Sequence, residues 1–365
     1  NVMPPPPSLR RGRDVLVTGA SGQDAAFLIR DLLHAGHEVT GVCRACTRSP
    51  SALWRLATLS VVDHPRLDLV AADLADAPTV ADLVDRTKPS EVYHLAAESN
   101  VPRNDAFPLD AVQSNVVASV NLLEAVRNLA PHARTFIASS SEVFGDAASS
   151  PQHERHPYRP RNMYGATKAF THSLATHYRE NHGLFVANGI LFNHESALRD
   201  PAFVTRKITR YAANARNARE PLHLGNLDTL RDWGYAPDYV RGMQAMLEAP
   251  VAGDYVLATG VARTVRTLAQ QAFVAAGVTL AFEGSGFGEV GYDANTGRVL
   301  VCVDPSFWRP SESVPLVGDP SKAFRDLGWA ASTPMHVWIE TMVEADQGHP
   351  NLTHPKIRIL QYSTG

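Results

Sequence analysis

Short apolar runs alternate with longer stretches of helical spacing through the first half of the chain. Asp14-Val-Leu-Val-Thr18 is the first such run. It ends at Gly19-Ala-Ser-Gly22, and Gln23 to Ala35 then carries apolar residues three and four apart, so strand, glycine turn and helix follow one another. Gly36 stops the helix, and Glu38 to Cys43 reads as a second strand that closes a β-α-β unit. Further strands are predicted over Leu67–Ala71, Glu91–Leu95, Thr135–Ala138 and Leu184–Leu191, with helices over Val80–Thr87, Val112–Leu129 and Tyr164–Asn181 between them. This alternation predicts an α/β fold, a Rossmann doubly wound parallel sheet. Beyond Asn193 the periodicity loosens into short helices, loops and strands, which predicts a smaller C-terminal substrate-binding lobe interleaved with the last strands of the sheet.

Composition narrows the function without naming it. The chain has 365 residues, 44% hydrophobic and 19% charged, enough to bury a large core. Its 34 Lys and Arg stand against 37 Asp and Glu, a balance with no field to draw the molecule to nucleic acid or to a membrane surface. The three cysteines, Cys43, Cys46 and Cys302, are an odd, sparse set that argues for a reducing compartment and against a disulfide framework; Cys43-x-x-Cys46 has the spacing of a redox pair, but with no matching Cys/His pair and a position just after a predicted strand it is not read as a redox or metal site. No apolar run reaches the roughly 18 residues of a membrane span, and the proline-rich start has no apolar signal region. A soluble, cytoplasmic protein is expected.

The glycine turn after the first strand lets backbone approach a pyrophosphate, and the helix beyond it offers free N–H groups and a positive dipole end. Arg44 follows the second strand, where an acidic residue would take ribose hydroxyls and an arginine suits a 2′-phosphate, so NADP is favoured over NAD. Asp73 after the third strand and Leu95-Ala-Ala97 after the fourth are placed to line adenine and ribose. The expected boundaries are a flexible arm over residues 1–13, mainly an NADP-binding domain over 14–192, mainly a substrate-binding lobe with late sheet elements interleaved over 193–346 and a tail over 347–365.

Ser139-Ser-Ser-Glu142 follows the fifth strand at its carboxyl end, where ligands sit in open parallel sheets, and Tyr164-Gly-Ala-Thr-Lys168 opens the next helix. Residues four apart share a helix face, so Tyr164 and Lys168 point the same way. A cation beside a phenol lowers its pKa and lets Tyr164 act as base toward a sugar hydroxyl. With the glycine turn, this set resembles the extended short-chain dehydrogenase/reductase family, in which a Ser or Thr hydroxyl, Tyr and Lys form the hydride-transfer site. Glu142, two residues past the hydroxyl of Ser140, is similar to the dehydratase members, where a carboxylate removes the proton next to a transient ketone.

Longer blocks narrow the resemblance to GDP-mannose 4,6-dehydratases. They are Asn188-Gly-Ile-Leu-Phe-Asn-His-Glu-Ser196, Phe203-Val-Thr-Arg-Lys-Ile208, Leu224-Gly-Asn-Leu-Asp228 with Arg231-Asp-Trp-Gly234, Asp238-Tyr-Val240, and Asp254-Tyr-Val256 with Ala258-Thr-Gly260. The resemblance implies catalytic Ser140, Glu142, Tyr164 and Lys168. It implies a tightly bound, recycled NADP at Gly19, Ser21, Gly22, Gln23, Asp24, Arg44, Asp73, Leu74, Leu95, Ala96 and Ala97 with Tyr164 and Lys168. A GDP-sugar would lie at Ser99, Asn193, Lys207, Arg231, Arg309 and Glu312, and the assembly would be a homodimer or homotetramer.

Departures concentrate at the sugar end. Where the family commonly reads Ala-Gln-Ser-His-Val and then Ser-Phe, this chain has Ala97-Glu-Ser-Asn-Val101 and then Asn104-Asp105, and Ser140 stands for a threonine. The changes at Glu98, Asn100 and Asn104 are expected where the hexose would lie, which leaves open another hexose or a heptose. Ala45-Cys-Thr-Arg48 lacks the paired arginines that family members use near a neighbouring subunit's cofactor, which bears on tetramer formation. A sugar-nucleotide epimerase, a 4-keto reductase and a catalytically idle nucleotide-sugar binder remain as alternatives.

Overall fold

The computed structural model describes residues 12–44, 50–309 and 314–348. The chain before residue 12, Cys46, Arg48, Glu312 and the tail from His349 lie outside them. The chain forms two compact units: one holds residues up to 194 with 232–262 and 313–332, the other 195–231, 263–312 and 333 onward. Two segments beyond residue 193, where late sheet elements were expected to interleave, lie in the first unit.

The first unit is built on seven parallel strands: β1 Asp14–Thr18, β2 Glu38–Cys43, β3 Leu67–Ala71, β4 Glu91–His94, β5 Arg134–Ser140, β6 Val186–Leu191 and β7 Asp254–Leu257. Their order across the sheet is β7-β6-β5-β4-β1-β2-β3, all neighbours parallel. Strand order reverses between β1 and β4, which opens the crevice where ligands bind in such sheets. Every residue of β4 and β6 is buried, as expected of central strands covered on both faces.

Helices α1 Gln23–His34, α2 Ala77–Thr87, α3 Ala118–Leu129, α4 Met163–His182 and α5 Ala236–Glu248 cover the sheet. Val80, Leu83 and Val84 of α2, Leu122, Leu123 and Val126 of α3, and Ala175 and Tyr178 of α4 pack with Leu16, Val42, Val92 and Ile137 in one core. The backbone of Gly41, one residue before Val42, lies close to the Ile29 side chain of α1, so α1 covers the opposite face. The predicted strands and helices are present with small shifts at their ends. Two differences bear on the site: Ser139 and Ser140 are the last residues of β5 rather than part of the turn, and the helix predicted from Val112 begins as a π-turn over Val112–Val117.

In the second unit, helices Val204–Ala213, Val265–Ala275 and Met335–Asp346 pack on one another. A four-stranded sheet pairs Leu280–Glu283, Val290–Asp293 and Val299–Val303 antiparallel, with Leu222–Leu224 parallel to the last. Arg206, largely buried, binds Asp346 through both guanidinium nitrogens, and this two-pronged ion pair joins the first and third helices. Among the described cysteines Cys302 is free and Cys43 takes part in a disulfide, which corrects the reading against disulfides drawn from the sparse, odd set.

Candidate active site

The turn after β1 is shaped by what it must touch. Gly19 has φ +75°, and a Cβ there would stand 2.8 Å from the Ala96 nitrogen, so only glycine lets the β1 turn lie against the β4 turn. Gly22 sits at the N-terminal end of α1 with no side chain to cap it, which leaves the dipole end of the helix facing the turn. Arg55, from a short helix Trp54–Thr58, donates to the Ser21 carbonyl at 2.8 Å and brings a cation to the same turn. The side chains of Gln23 and Asp24 point elsewhere: Gln23 donates to the His194 carbonyl and Asp24 pairs with the His194 ring at 2.7 Å. What those two residues can offer a ligand is backbone. Arg44 is exposed just past β2, Asp73 is exposed with one carboxylate oxygen on the Ala75 N–H, and Leu74 is buried.

Behind the turn runs a buried polar relay. The Thr18 hydroxyl accepts from the Ala96 N–H at 3.2 Å, so its own proton goes to His94 Nδ1 at 2.8 Å. His94 Nε2–H then donates to Ser119 at 3.0 Å, and Ser119 donates to the Asn115 carbonyl at 2.6 Å. Burial, helped by the charge of Lys168, lowers the His94 pKa to about 3, so the ring is neutral and this single polarity satisfies every member. Asn115 lies within the π-turn, an irregularity that frequently marks functional sites. Its side chain accepts from the Glu98 N–H and donates to Thr167.

On the other side of the switch point stand the four residues expected to be catalytic. Ser140 ends β5, and its hydroxyl accepts from the Glu142 N–H at 3.2 Å. Asn162 caps α4 by accepting from the Gly165 N–H at 2.7 Å, and Asp105 accepts from the Met163 N–H at 2.8 Å. The helix then presents Lys168, Thr171, His172, Ala175 and Tyr178 to the interior. Lys168 is buried, which lowers its pKa to about 8, and its ammonium donates to the Ala138 carbonyl of β5 at 2.8 Å. The same nitrogen lies 5.8 Å from the centre of the Tyr164 ring. Glu142 is half-buried and accepts from the Asn162 amide at 2.9 Å. Hydroxyl, phenol, cation and carboxylate are thus gathered from the end of β5 and the start of α4.

At the expected sugar end the structure corrects one reading. Asn104 is 1% exposed; its amide donates to the Glu98 and Asn100 carbonyls, and its oxygen accepts from Asn115. That side chain is saturated and cannot contact a hexose. Asn100 caps the short helix Val101–Ala106 through the Arg103 N–H. Glu98 accepts from the Asn100 N–H and pairs with Arg103 at 3.0 Å, so its charge is compensated within the turn. Ser99 is exposed, and Asn193 is half-buried at the start of a short strand, Asn193–Glu195.

The cations expected at the diphosphate belong to the second unit. Lys207 lies 4.0 Å over the Phe307 ring and reaches the His223 carbonyl at 3.5 Å. The Arg309 carbonyl accepts from Asn226 at 3.4 Å, and a Cβ on Gly225 would be 2.2 Å from the Phe307 oxygen. Lys207 and the backbone of Arg309 are thereby gathered at the end of strand Leu222–Leu224. Arg231 is half-buried and donates to the Leu230 carbonyl.

Sequence reasoning missed Arg55, Asn115, Asn162 and a buried ion-pair cluster beside the site. In that cluster His172 bonds Ser139 at 3.1 Å and Asp254 at 3.3 Å, while Asp254 also binds Arg179 and Asn188. Burial acts to raise the Asp254 carboxyl, but the hydrogen bonds and charges of His172 and Arg179 outweigh it and hold the carboxyl well below the usual carboxylate range. Asn162, two residues before Tyr164 and at a helix N-cap position, carried a local signal. The others pair across tens of residues and leave no trace in periodicity.

A Rossmann sheet with this Ser-Tyr-Lys arrangement at its switch point defines the extended short-chain dehydrogenase/reductase class. Solved structures agree on the fold: a putative epimerase from Burkholderia cenocepacia superimposes with TM-score 0.76 at 24% identity, covering 93% of this chain and 99% of that one. A dTDP-glucose 4,6-dehydratase from Bacillus anthracis gives 0.75 at 17%, covering 94% and 98%. The chain belongs to the GDP-mannose 4,6-dehydratase family, whose profile it matches over residues 16–342. It is 41% identical over 337 residues to a GDP-mannose 4,6-dehydratase of Sinorhizobium fredii, covering 91% of this chain and 95% of that protein. Against the enzyme of Drosophila melanogaster it is 36% identical, covering 92% and 86%.

Proposed function

We propose that this protein is an NADP-dependent hydro-lyase that converts GDP-mannose, or a related GDP-hexose or GDP-heptose, into the 4-keto-6-deoxy sugar nucleotide and water. The observation that carries this reading is the tie between Glu142 and Asn162: a carboxylate two residues past the Ser140 hydroxyl is bonded at 2.9 Å to the cap of the helix bearing Tyr164 and Lys168. Hydride-transfer chemistry alone needs Ser140, Tyr164 and Lys168; an eliminating enzyme also needs a base at the neighbouring carbon.

The glycine turn, held against the β4 turn at Gly19 and open at the uncapped start of α1, and the cations Arg44 and Arg55 fit a dinucleotide with a 2′-phosphate. When bound, the nicotinamide would supply the hydride acceptor for C4 of the sugar and the donor for C6. Within that cycle Tyr164 takes the proton of the 4-hydroxyl, with the Lys168 ammonium 5.8 Å from the centre of its ring. Because the Ser140 oxygen accepts from the Glu142 N–H, its own proton is the one directed to the sugar oxygen. Glu142 removes the proton from C5, the C6–O bond breaks, and the same proton leaves with the hydroxyl as water. The proton taken from the 4-hydroxyl balances the one that C5 regains. Asn193, Lys207, Arg231, Arg309 and Glu312 serve the nucleoside diphosphate in this reading, with Ser99 also on the substrate.

The reading also includes cytoplasmic residence and a homodimer or homotetramer; among the described residues no helix is long and apolar enough to cross a membrane. The test is mass spectrometry of the purified protein incubated with GDP-mannose, other GDP-hexoses and a GDP-heptose, without added reductant. Loss of one water from one donor is expected. Turnover of a donor without mass change would replace the dehydratase with an epimerase, and binding of every donor without turnover would leave an idle binder.

A further inference from the structure

One side chain in the site performs two tasks at once. The Asn162 oxygen caps α4 at the Gly165 N–H, 2.7 Å away, and the Asn162 nitrogen donates to Glu142 Oε2 at 2.9 Å. The helix start also presses on the backbone of Glu142: a Cβ on Gly165 would be 2.6 Å from the Glu142 carbonyl oxygen and 3.3 Å from the Asn162 oxygen. The backbone of Glu142 is therefore packed tightly against the start of the helix, and its carboxylate is tied to the same terminus through Asn162. An amide suits this position where a hydroxyl or a carboxylate would not. A serine caps as well but its hydroxyl stands one atom nearer the backbone than the amide nitrogen that reaches Glu142, and an aspartate caps but offers Glu142 only a second negative charge.

We propose that Asn162 is a positioning residue: it fixes the Glu142 carboxylate against the helix that carries Tyr164 and Lys168, so that the eliminating base and the hydride-site phenol are registered by one planar amide. Its effect falls on proton removal at C5 and not on oxidation at C4, because Tyr164 and Lys168 keep their own contacts, including the Lys168 bond to Ala138. The proposal rests on the reading of Glu142 as the base, and its test separates the two.

Asn162→Ser retains an N-cap and replaces the amide donor with a shorter hydroxyl; Asn162→Asp retains the cap and sets like charges together. In the full-length protein with GDP-mannose, or whichever donor loses water, Asn162→Ser is expected to keep the melting temperature and the rate of nicotinamide reduction. Exchange of the C5 proton with deuterated solvent, and water loss, are expected to fall about ten- to a hundredfold, the range one well-placed charge-assisted hydrogen bond supports. Asn162→Asp is expected to move the acid limb of the elimination rate to higher pH, and Asn162→Gly, which weakens the cap only slightly, to behave like Asn162→Ser. Elimination at the parental rate in Asn162→Ser, or an equal slowing of oxidation and elimination, would overturn the proposal.

A second readout needs no turnover. The side-chain amide resonances of Asn162, assigned by their loss in Asn162→Ser, are expected to shift in Glu142→Gln; unmoved resonances would overturn the contact. A shift in a protein that removes water from no donor would keep the positioning role and reject the dehydratase reading.

Discussion

The Lys168 ammonium donates to the Ala138 carbonyl of β5 at 2.8 Å while lying 5.8 Å from the Tyr164 ring. A charge that serves chemistry is thus held in an interior that resists it. Burial lowers the Lys168 pKa from 10.5 to about 8, so the protonated form weakens the fold: the penalty is complete below about pH 8 and fades as pH rises toward the unfolded value. Replacing the charge with a chain of similar length should relieve it. Lys168→Met is expected to raise stability at neutral pH by about 1–3 kcal/mol, from about 1.4 kcal/mol per pKa unit, while lowering turnover at least about a hundredfold. Urea unfolding at pH 7 and at pH 10 checks this; the gain should shrink at the higher pH. A loss of stability at both would mean that the Ala138 hydrogen bond outweighs burial.

Glu142→Gln preserves shape and the position beside Asn162 but removes the base. Water loss is expected to fall about 10²- to 10⁴-fold, with affinity for the GDP-sugar and for the dinucleotide within about twofold, since neither contact involves the proton. Calorimetry beside the mass assay settles it. An equal loss of GDP affinity would reassign Glu142 to binding.

Arg44→Ala should separate the two dinucleotides. A charge-assisted contact to the 2′-phosphate is worth about 1.5–3 kcal/mol, so NADP affinity is expected to drop about ten- to a hundredfold while NAD affinity stays level. Titration with both would show it. If the variant treats the two alike, Arg55 carries the phosphate or NAD is the true partner.

Gly19→Ala tests the cradle from the backbone side. Alanine in the left-handed region costs about 1–2 kcal/mol before any clash, and its methyl would meet the Ala96 nitrogen at 2.8 Å. Dinucleotide affinity should fall more than tenfold and the melting temperature should drop. Unchanged binding would place the pyrophosphate elsewhere.

Asp254→Asn addresses the cluster with His172 and Arg179. The folded Asp254 pKa is depressed, so the stability it contributes is present above the unfolded value of 3.8 and is lost as pH falls below it. The variant should be less stable at pH 7 by about 1–3 kcal/mol, with the gap closing below pH 3. Thermal melts at both pH values check this. A gap that persists in acid would assign the loss to packing.

The sheet was legible in the sequence because each strand and helix repeats its own short period, and the glycine turn and Tyr-x-x-x-Lys lie within single elements. The site's supports were not. His172 meets Asp254 from 82 residues away, and Asn115 reaches Thr167 across 52; neither distance leaves a periodic mark. The same limit explains Asn104, whose change looked like a substrate contact until the burial of its amide showed it bonded within its own turn. The loosened pattern beyond Asn193 implied interleaving with the sheet but could not mark residues 232–262 and 313–332 as the segments that lie in the first unit.

Asp232, fully buried, accepts from the backbone of Thr259, Gly260 and Gly318 and from the Thr259 hydroxyl, and Gln152 bonds the backbone of Val317. These contacts knit segments that emerge far apart in time during synthesis. A ribosome that has delivered β1 through β6 has released Tyr164 and Lys168 but not β7, nor the strap around Gly318. The first unit can therefore close only after most of the second has left the exit tunnel, and a prematurely ended chain would carry the hydride-site residues without the frame that holds them.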